Sequence, residues 1–229
     1  PMVVLRRARV LVQHEGLAGL SSGAMRFVAE LRRRAYSESL IRVYRLPLAE
    51  AALVPAAAPL ENLRLCVIES REDALRLTAE GLENFLETVP RAERKLVAGG
   101  VAACAYLGRE LASVDWMAFS DEAKRVVDSF PYPVDFAAGE TWTGGAFTVR
   151  HLRGRGIAAY RFSGQVSYML ARGCHVCYNA IAADNIPSQR TVERYGATFD
   201  AVFRRRSLLG HNRYTQVWSR QGTAEKPAR

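Results

Sequence analysis

VRHLRGRGIAAY, residues Val149–Tyr160, sets three arginines, a histidine and two glycines directly ahead of an apolar-periodic segment. Ala158, Phe162, Val166, Met169 and Leu170 step by three and four, so the spacing predicts a helix that stops before Gly173. Upstream, VDFAAGETWTGGAFTV reads as one long strand. A strand that runs through Arg153-Gly-Arg-Gly156 into a helix is a phosphate-binding arrangement for two separable reasons. The glycines let the backbone turn with its N–H groups converging, and the first helical turn offers unpaired donors at a positive dipole end. Arg153 and Arg155 attract the same anion. The dinucleotide-binding glycine pattern is absent, because Ala159 stands where its third glycine would lie, and no GKS or GKT phosphate loop occurs.

Outward from this loop the chain reads as mixed α/β. Toward the N-terminus, Leu17, Leu20, Ala24, Phe27, Val28 and Leu31 predict a helix over 16–34, SLIRVYRLPL alternates like a strand, and AEAALVPAAAPLEN reads as a connection. These form an N-terminal helix-strand extension over 1–60, ahead of a main domain over 61–220 and a polar tail over 221–229. In the main domain LRLCVIES is a strand. Ser70-Arg-Glu-Asp73 opens a helix expected to carry Leu75, Leu82, Phe85, Leu86 and Val89 on one face. KLVAGGVAACAYLG, ELASVDWMAF and the long strand follow, with SDEAKRVVDSFPYP as a helical excursion. After the loop and its helix come a strand (CHVCYNAIA), a helix over 186–195 and the strand pair TFDAVFRRRSLL and RYTQVW. Strands on both sides of single helices imply a mixed sheet with helices on its faces.

Arg153-Gly-Arg-Gly156-Ile-Ala158 resembles the phosphate loop of the GNAT family of N-acetyltransferases, Arg/Gln-x-x-Gly-x-Gly/Ala at the end of a sheet strand. A second family pattern, Asn-x-x-Ser/Ala opening a helix that closes near Gly-Phe, is matched by Asn185-Ile-Pro-Ser188 and Arg194-Tyr195-Gly196. The resemblance implies a GNAT-like acyl-CoA N-acyltransferase fold over about residues 63–220. It implies acetyl-CoA, or another acyl-CoA, as co-substrate, held by Phe147, Thr148 and Val149 on the strand. Arg153, Gly154, Arg155, Gly156, Ile157 and Ala158 in the loop, with Asn185 and Ser188 beyond, complete that set. It further implies transfer of an acyl group to a small-molecule or peptide amine by direct attack, with the thioester oxygen polarised by an N–H near Phe147 to Val149. Three departures stand out: Arg150-His-Leu152 replaces the proline often found before the glycines, Gly196 is followed by Ala-Thr-Phe, and Val192 stands where relatives keep the tyrosine that protonates the departing thiolate. Tyr195 is the nearest substitute acid, with solvent the alternative.

An amine must be neutral to attack a thioester, so a base is expected near the strand. Glu140, 13 residues before Arg153, is the first candidate, and strand alternation puts it on one face with Trp142 and Gly144. A bulge at Gly144-Gly145 would turn that face toward a cleft. Asp115 is the second candidate. His151 and His211 fall in turns and His175 on a strand, where core and surface duties are the ordinary reading.

The net charge of +9 points to an anionic partner, but only three of the 32 basic residues are lysines, so where the arginines cluster matters more than their number. Arg204-Arg-Arg206 lies in a strand without interleaved aromatics, which speaks against nucleic acid. Cys174 and Cys177 have a CxxC spacing with no second pair, and on a strand they would face opposite ways, so no metal is expected. No apolar run is long enough to span a bilayer, which predicts a cytoplasmic protein without membrane association. Two other readings remain, a catalytically silent acyl-CoA sensor and a basic nucleic-acid module, and a homodimer stays open.

Overall fold

The computed structural model describes residues 36–54, 57–209 and 211–220. The helix expected over 16–34 and the tail over 221–229 lie outside the described residues. Along the chain come β1 (Tyr36–Pro47), α1 (Leu48–Ala51), β2 (Leu63–Ile68), α2 (Arg71–Ala79), α3 (Phe85–Thr88), α4 (Ala92–Val97), β3 (Val101–Leu107), β4 (Glu110–Ala118) and α5 (Asp121–Val127). Then follow β5 (Glu140–Thr148), a 3-10 turn (Arg150–Leu152), α6 (Ile157–Ala171), β6 (Val176–Ala182), α7 (Ile186–Arg194), β7 (Thr198–Leu208) and β8 (His211–Ser219). Among the described residues no helix is long and apolar enough to cross a membrane.

Two compact units are distinguished. Of the described residues, the larger comprises 41–54, 57–203 and 216–220, and the smaller 36–40, 204–209 and 211–215. In the larger, the mixed α/β sheet has the order β2-β3-β4-β5-β6-β1-β7-β8. β2 to β5 form an antiparallel meander, β5 pairs with β6 in parallel, and β6 pairs with β1 antiparallel from Ile41↔Ala182 to Pro47↔Val176. The β5–α6–β6 crossover thus supplies the parallel step, as a helical connection between parallel strands must. In the smaller unit Glu38 pairs with both Arg204 (3.2 Å) and Arg206 (3.0 Å), the shared face that strand alternation predicts.

Helices cover both faces of the larger unit's sheet. On one, α6 places Phe162, Val166 and Met169 against Met117, Cys177 and Ile181. On the other, Leu77, Phe85, Leu96 and Val127 from α2 to α5 close over Cys104 and Trp116. The single helix expected from Ser70 through Val89 is two short ones, α2 and α3. Its start is as expected: Asp73 N–H donates to Ser70 Oγ (3.1 Å) while Ser70 N–H donates to Asp73 Oδ2 (3.1 Å), a capping box. It ends because Gly81 takes a left-handed φ of 86°, and Leu75 turns to solvent while Leu77 is buried. Lys95–Val97, expected to begin a strand, belong to α4, and Gly99 at φ 82° separates them from β3. The strand expected from Val134 begins only at Glu140. β6 begins at Val176, so the opposite-face argument for Cys174 and Cys177 does not apply; both thiols are buried in the α6-side core.

That core holds one buried charge pair. Arg161 of α6 donates to Asp115 of β4 (3.1 Å), to Ser113 Oγ (3.1 Å) and to Gln165 Oε1 (2.5 Å), and Asp115 also accepts from Trp116 N–H (2.9 Å). Breaking such a pair leaves an uncompensated charge without solvent, which costs about 3–5 kcal/mol. Arg161→Ala is therefore expected to lose about that much in a urea unfolding titration. Arg161→Met combined with Asp115→Asn should lose less than Arg161→Ala alone.

Candidate functional site

The sheet opens at one place. β5 pairs with β6 over four residues, Glu140↔Val176 to Thr143↔Asn179, and the two strands then part. Across the sheet, β4 and β5 pair as Trp116↔Gly144 and Val114↔Phe147, a register shift that is the bulge the two glycines predicted; Gly145 has φ 75°. Beyond the bulge β5 keeps one neighbour. Val149 N–H donates to Ala112 O (2.9 Å) and Ser113 Oγ donates to Phe147 O (2.9 Å), so these two residues face β4. Alternation then puts the N–H groups of Ala146 and Thr148 on the open edge. Of the three strand residues proposed to meet a thioester, Thr148 has its amide there, and the Val149 amide is engaged elsewhere.

The open edge runs into the glycine loop. Gly154 and Gly156 both have left-handed φ, 76° and 78°, and Gly156 is the N-cap of α6, which has no side-chain cap. The first helical bond closes from Tyr160 N–H to Gly156 O (3.0 Å), which leaves the amides of Ile157, Ala158 and Ala159 as donors. A Cβ at Gly154 would meet nothing within 4 Å, whereas one at Gly156 would meet Pro59 at 3.2 Å. Arg153 is exposed and turns back to donate to Thr148 O (2.9 Å), fixing the loop on the end of β5. Arg155 is exposed. Ile157 is buried against Leu152, which seats the helix start. On the far side of the opening Asn185 caps α7, accepting from Ser188 N–H (3.4 Å), so it has a structural duty whatever else it does. Asn179 Oδ1, where β5 and β6 separate, is buried without a partner. A chain of amide and phosphate groups laid along this edge would meet the free strand amides, that orphan acceptor and then the helix donors.

Three carboxylates are close enough to weigh. Glu140 lies at the paired end of β5, about 13 Å of strand from the bulge, accepting from Asp135 N–H (2.8 Å) and Tyr178 O–H (3.1 Å). Tyr178 stacks near Tyr132, which in turn bonds Asp200, so Glu140 anchors the loop and rings beneath the strand. Asp115 is held by Arg161 on the α6 face. Asp128, immediately after α5, was not marked by any motif. Its carboxylate lies 3.0 Å from where a Cβ on Gly144 would stand, accepting from Trp142 Nε1 (3.3 Å) and Phe130 N–H (3.1 Å). Burial pushes this carboxyl above the usual aspartate range, against the opposing pull of Lys124 and Lys95. The same burial lowers both lysines; Lys95 Nζ sits 4.8 Å over the Trp116 ring and Lys124 Nζ 4.5 Å over Trp142. The residue reading missed Asp128 because only tertiary packing sets it beside Gly144.

Tyr195, the expected substitute acid, is buried on Phe162 with its hydroxyl donating to Ala159 O (2.9 Å), and burial raises it further above the tyrosine range. In this position Tyr195 ties α6 to the end of α7. Among the described residues no cluster of three His, Cys, Asp or Glu side chains is placed to hold a metal.

No protein-family model matches the chain, and no curated protein does. Among solved structures it is similar to the GCN5-related glucosamine N-acetyltransferase region of a fungal multi-domain GH3 beta-N-acetylglucosaminidase. That likeness has a TM-score of 0.50 and 11% identity over 80% of this chain and 22% of that one. It also matches a GCN5-related N-acetyltransferase from Sphaerobacter thermophilus (TM-score 0.48, 17% identity, 80% of this chain and 56% of that one). A functionally unknown conserved protein from Staphylococcus epidermidis matches at TM-score 0.49 and 8% identity, over 78% of this chain and 64% of that one. The chain thus spans less than two thirds of the length of each of these three. The fold is that of the GCN5-related N-acetyltransferases.

The environment of Asp128 makes a stability prediction. A carboxyl raised in the fold opposes folding when ionised, and that cost is relieved as pH falls through the folded pKa toward the unfolded value. Asp128→Asn is therefore expected to be no less stable than the parent at pH 7, with the parent gaining on the variant as the pH is lowered toward 4. Paired urea titrations at the two pH values measure this; a variant much less stable at pH 7 would contradict it.

Proposed function

We propose that the chain transfers an acyl group from an acyl-CoA, acetyl-CoA being the simplest, to a primary amine in a ternary complex. The observation that carries this reading is the parting of β5 from β6 at Thr143 and Asn179, which opens one strand edge directly onto the uncapped start of α6. The pantetheine amides would pair with the edge at Ala146 and Thr148. The pyrophosphate would take the amides of Gly154 to Ala158, with Arg153 and Arg155 neutralising charge. The thioester would then lie at the bulge, its oxygen near the amide that the bulge frees. On the opposite face of that bulge stands Asp128, whose raised pKa suits a general base at neutral pH better than an ordinary carboxylate does. The amine nitrogen attacks the thioester carbon, the carbon–sulfur bond breaks, the amine proton passes to Asp128, and the coenzyme A thiolate takes a proton from solvent. Glu140 acts at a distance as a positioning residue.

One observation favours a second reading: Val192 is buried and apolar where an acid would serve the leaving thiolate, which suits a silent acyl-CoA-binding protein. Calorimetric binding of acetyl-CoA without thiol release from any amine would select it.

Gly154→Glu adds a like charge at the phosphate site in open space, so the expected result is at least a tenfold weaker acetyl-CoA affinity. The fold should survive at a backbone cost of about 1–2 kcal/mol. Asp128→Asn is expected to lower kcat by about 10²–10⁴ with unchanged cofactor affinity. Because the base works ionised, parent activity should fall as pH drops through the raised Asp128 pKa, and this acid limb should vanish from the residual rate of the variant. Lys95, Lys124 and Trp142 are the groups facing Asp128, so Glu140→Gln should leave the limb in place.

A further inference from the structure

Asp128, which lies against Gly144 at the bulge, also lines a cleft of about 570 Å³ between α4 and α5. Its walls are strongly basic: Arg91, Arg94 and Lys95 come from the start and middle of α4, and Arg125 from the last turn of α5. Asp128 is its one carboxylate, at the end nearest Gly144. Among the described residues no carboxylate pairs with Arg91, Arg94 or Arg125, although Glu93 on the same helix is taken by Arg71 (3.1 Å) and the strand arginines 204 and 206 share Glu38. Three exposed arginines therefore line one mouth without a carboxylate partner, which leaves them free to pair with an entering anion. Arg91 is also held at a left-handed φ of 59°, a conformation disfavoured for a long side chain and retained here at the lip of the cleft. At the inner end burial lowers the Lys95 pKa, against the opposing pull of Asp115 and Asp128, and Arg91 adds only the smallest contribution in the lowering direction.

Resting on the acyl-transfer reading above, we propose that the acceptor is an anionic amine. Its carboxylate or phosphate is bound by Arg91, Arg94 and Arg125, and its amino group is delivered to Asp128 at the β5 bulge. The two ends of such a molecule match the two signs of charge that the cleft separates. Planar guanidinium groups pair bidentately with either oxyanion, so carboxylate and phosphate share one recognition chemistry. A neutral amine would leave the three arginines unpaired, and a polyamine would meet them as like charges. Specificity thus comes from repulsion as well as attraction.

The test uses the full chain with acetyl-CoA, three probes of similar reach (2-aminoethyl phosphate, β-alanine and ethanolamine) and the polyamine spermidine. The expected result is thiol release with kcat/KM at least tenfold higher for one or both anionic amines than for ethanolamine. The better of the two identifies which oxyanion the cleft prefers. Arg94→Ala and Arg125→Ala should each raise KM for that probe about tenfold with little change for ethanolamine, and acetyl-CoA affinity should be unaltered. Preference for ethanolamine or for spermidine, or unchanged KM in the variant lacking all three arginines, would overturn the assignment while leaving acyl transfer intact. If acetyl-CoA itself does not bind, the acyl-transfer reading fails separately. Direct calorimetric titration of 2-aminoethyl phosphate and β-alanine into the parent and into Arg94→Ala still decides the cleft, and no arginine-dependent binding of either overturns it.

Discussion

Strand β5 cannot pair with both neighbours along its whole length, and the rest of the site follows from that constraint. Trp142 and Thr143 are paired on both sides; then the bulge at Gly144 and Gly145 slips the register with β4 and the partnership with β6 ends. Glycine is required at both positions for different reasons. Gly145 adopts φ 75°, and a Cβ on Gly144 would stand 3.0 Å from the Asp128 carboxylate. One pair of residues therefore breaks the sheet, exposes a row of backbone donors and admits a carboxylate against the exposed backbone. A sheet paired throughout would offer none of these. The strand then ends at a turn whose two left-handed glycines start α6 without a cap, so the opened edge and the helix donors form one continuous polar line.

Two aspartates flank this break on opposite faces of the sheet, with different partners. Asp115 is sealed under α6 with a guanidinium at 3.1 Å, so its charge is matched and it is fixed. Asp128 has only ring and backbone donors at bonding distance, with two lysines beyond them that are themselves reluctant to stay charged. The first arrangement is a structural joint. The second leaves a carboxyl whose proton is more easily held because it is buried.

Much of the scaffold was legible because burial imposes periodicity. The α6 stripe from Ala158 to Leu170, the strand at 63–68, the capping box at Ser70 and the glycine bulge all appear where spacing and local chemistry place them. The errors came where one apolar pattern serves two structures. Leucine spacing after Ser70 fits a single helix as well as two short ones, and the left-handed Gly81 decides. Glu140 was legible as a carboxylate on the correct face, but sequence distance along a strand does not say where the neighbouring strand leaves it. Asp128 was illegible for the converse reason. It follows a helix in an unremarkable run, KRVVDSF, and its proximity to Gly144 arises entirely from packing.

The net charge illustrates how placement overrides number. An excess of nine positive charges is consistent with many partners. Several arginines are spent within the chain: Arg161 on Asp115, Arg64 on Glu80, Arg71 on Glu93, and Arg204 with Arg206 on the single Glu38. Those are either buried joints or solvated surface pairs worth little individually. Among the described residues, Arg91, Arg94 and Arg125 are left without a carboxylate partner and lie on two short helices, lining the same cleft as Asp128. An extended polyanion would require cations spread along a surface; a compact mouth of arginines leading inward to Asp128 suits a ligand with an anion at one end and a proton to lose at the other.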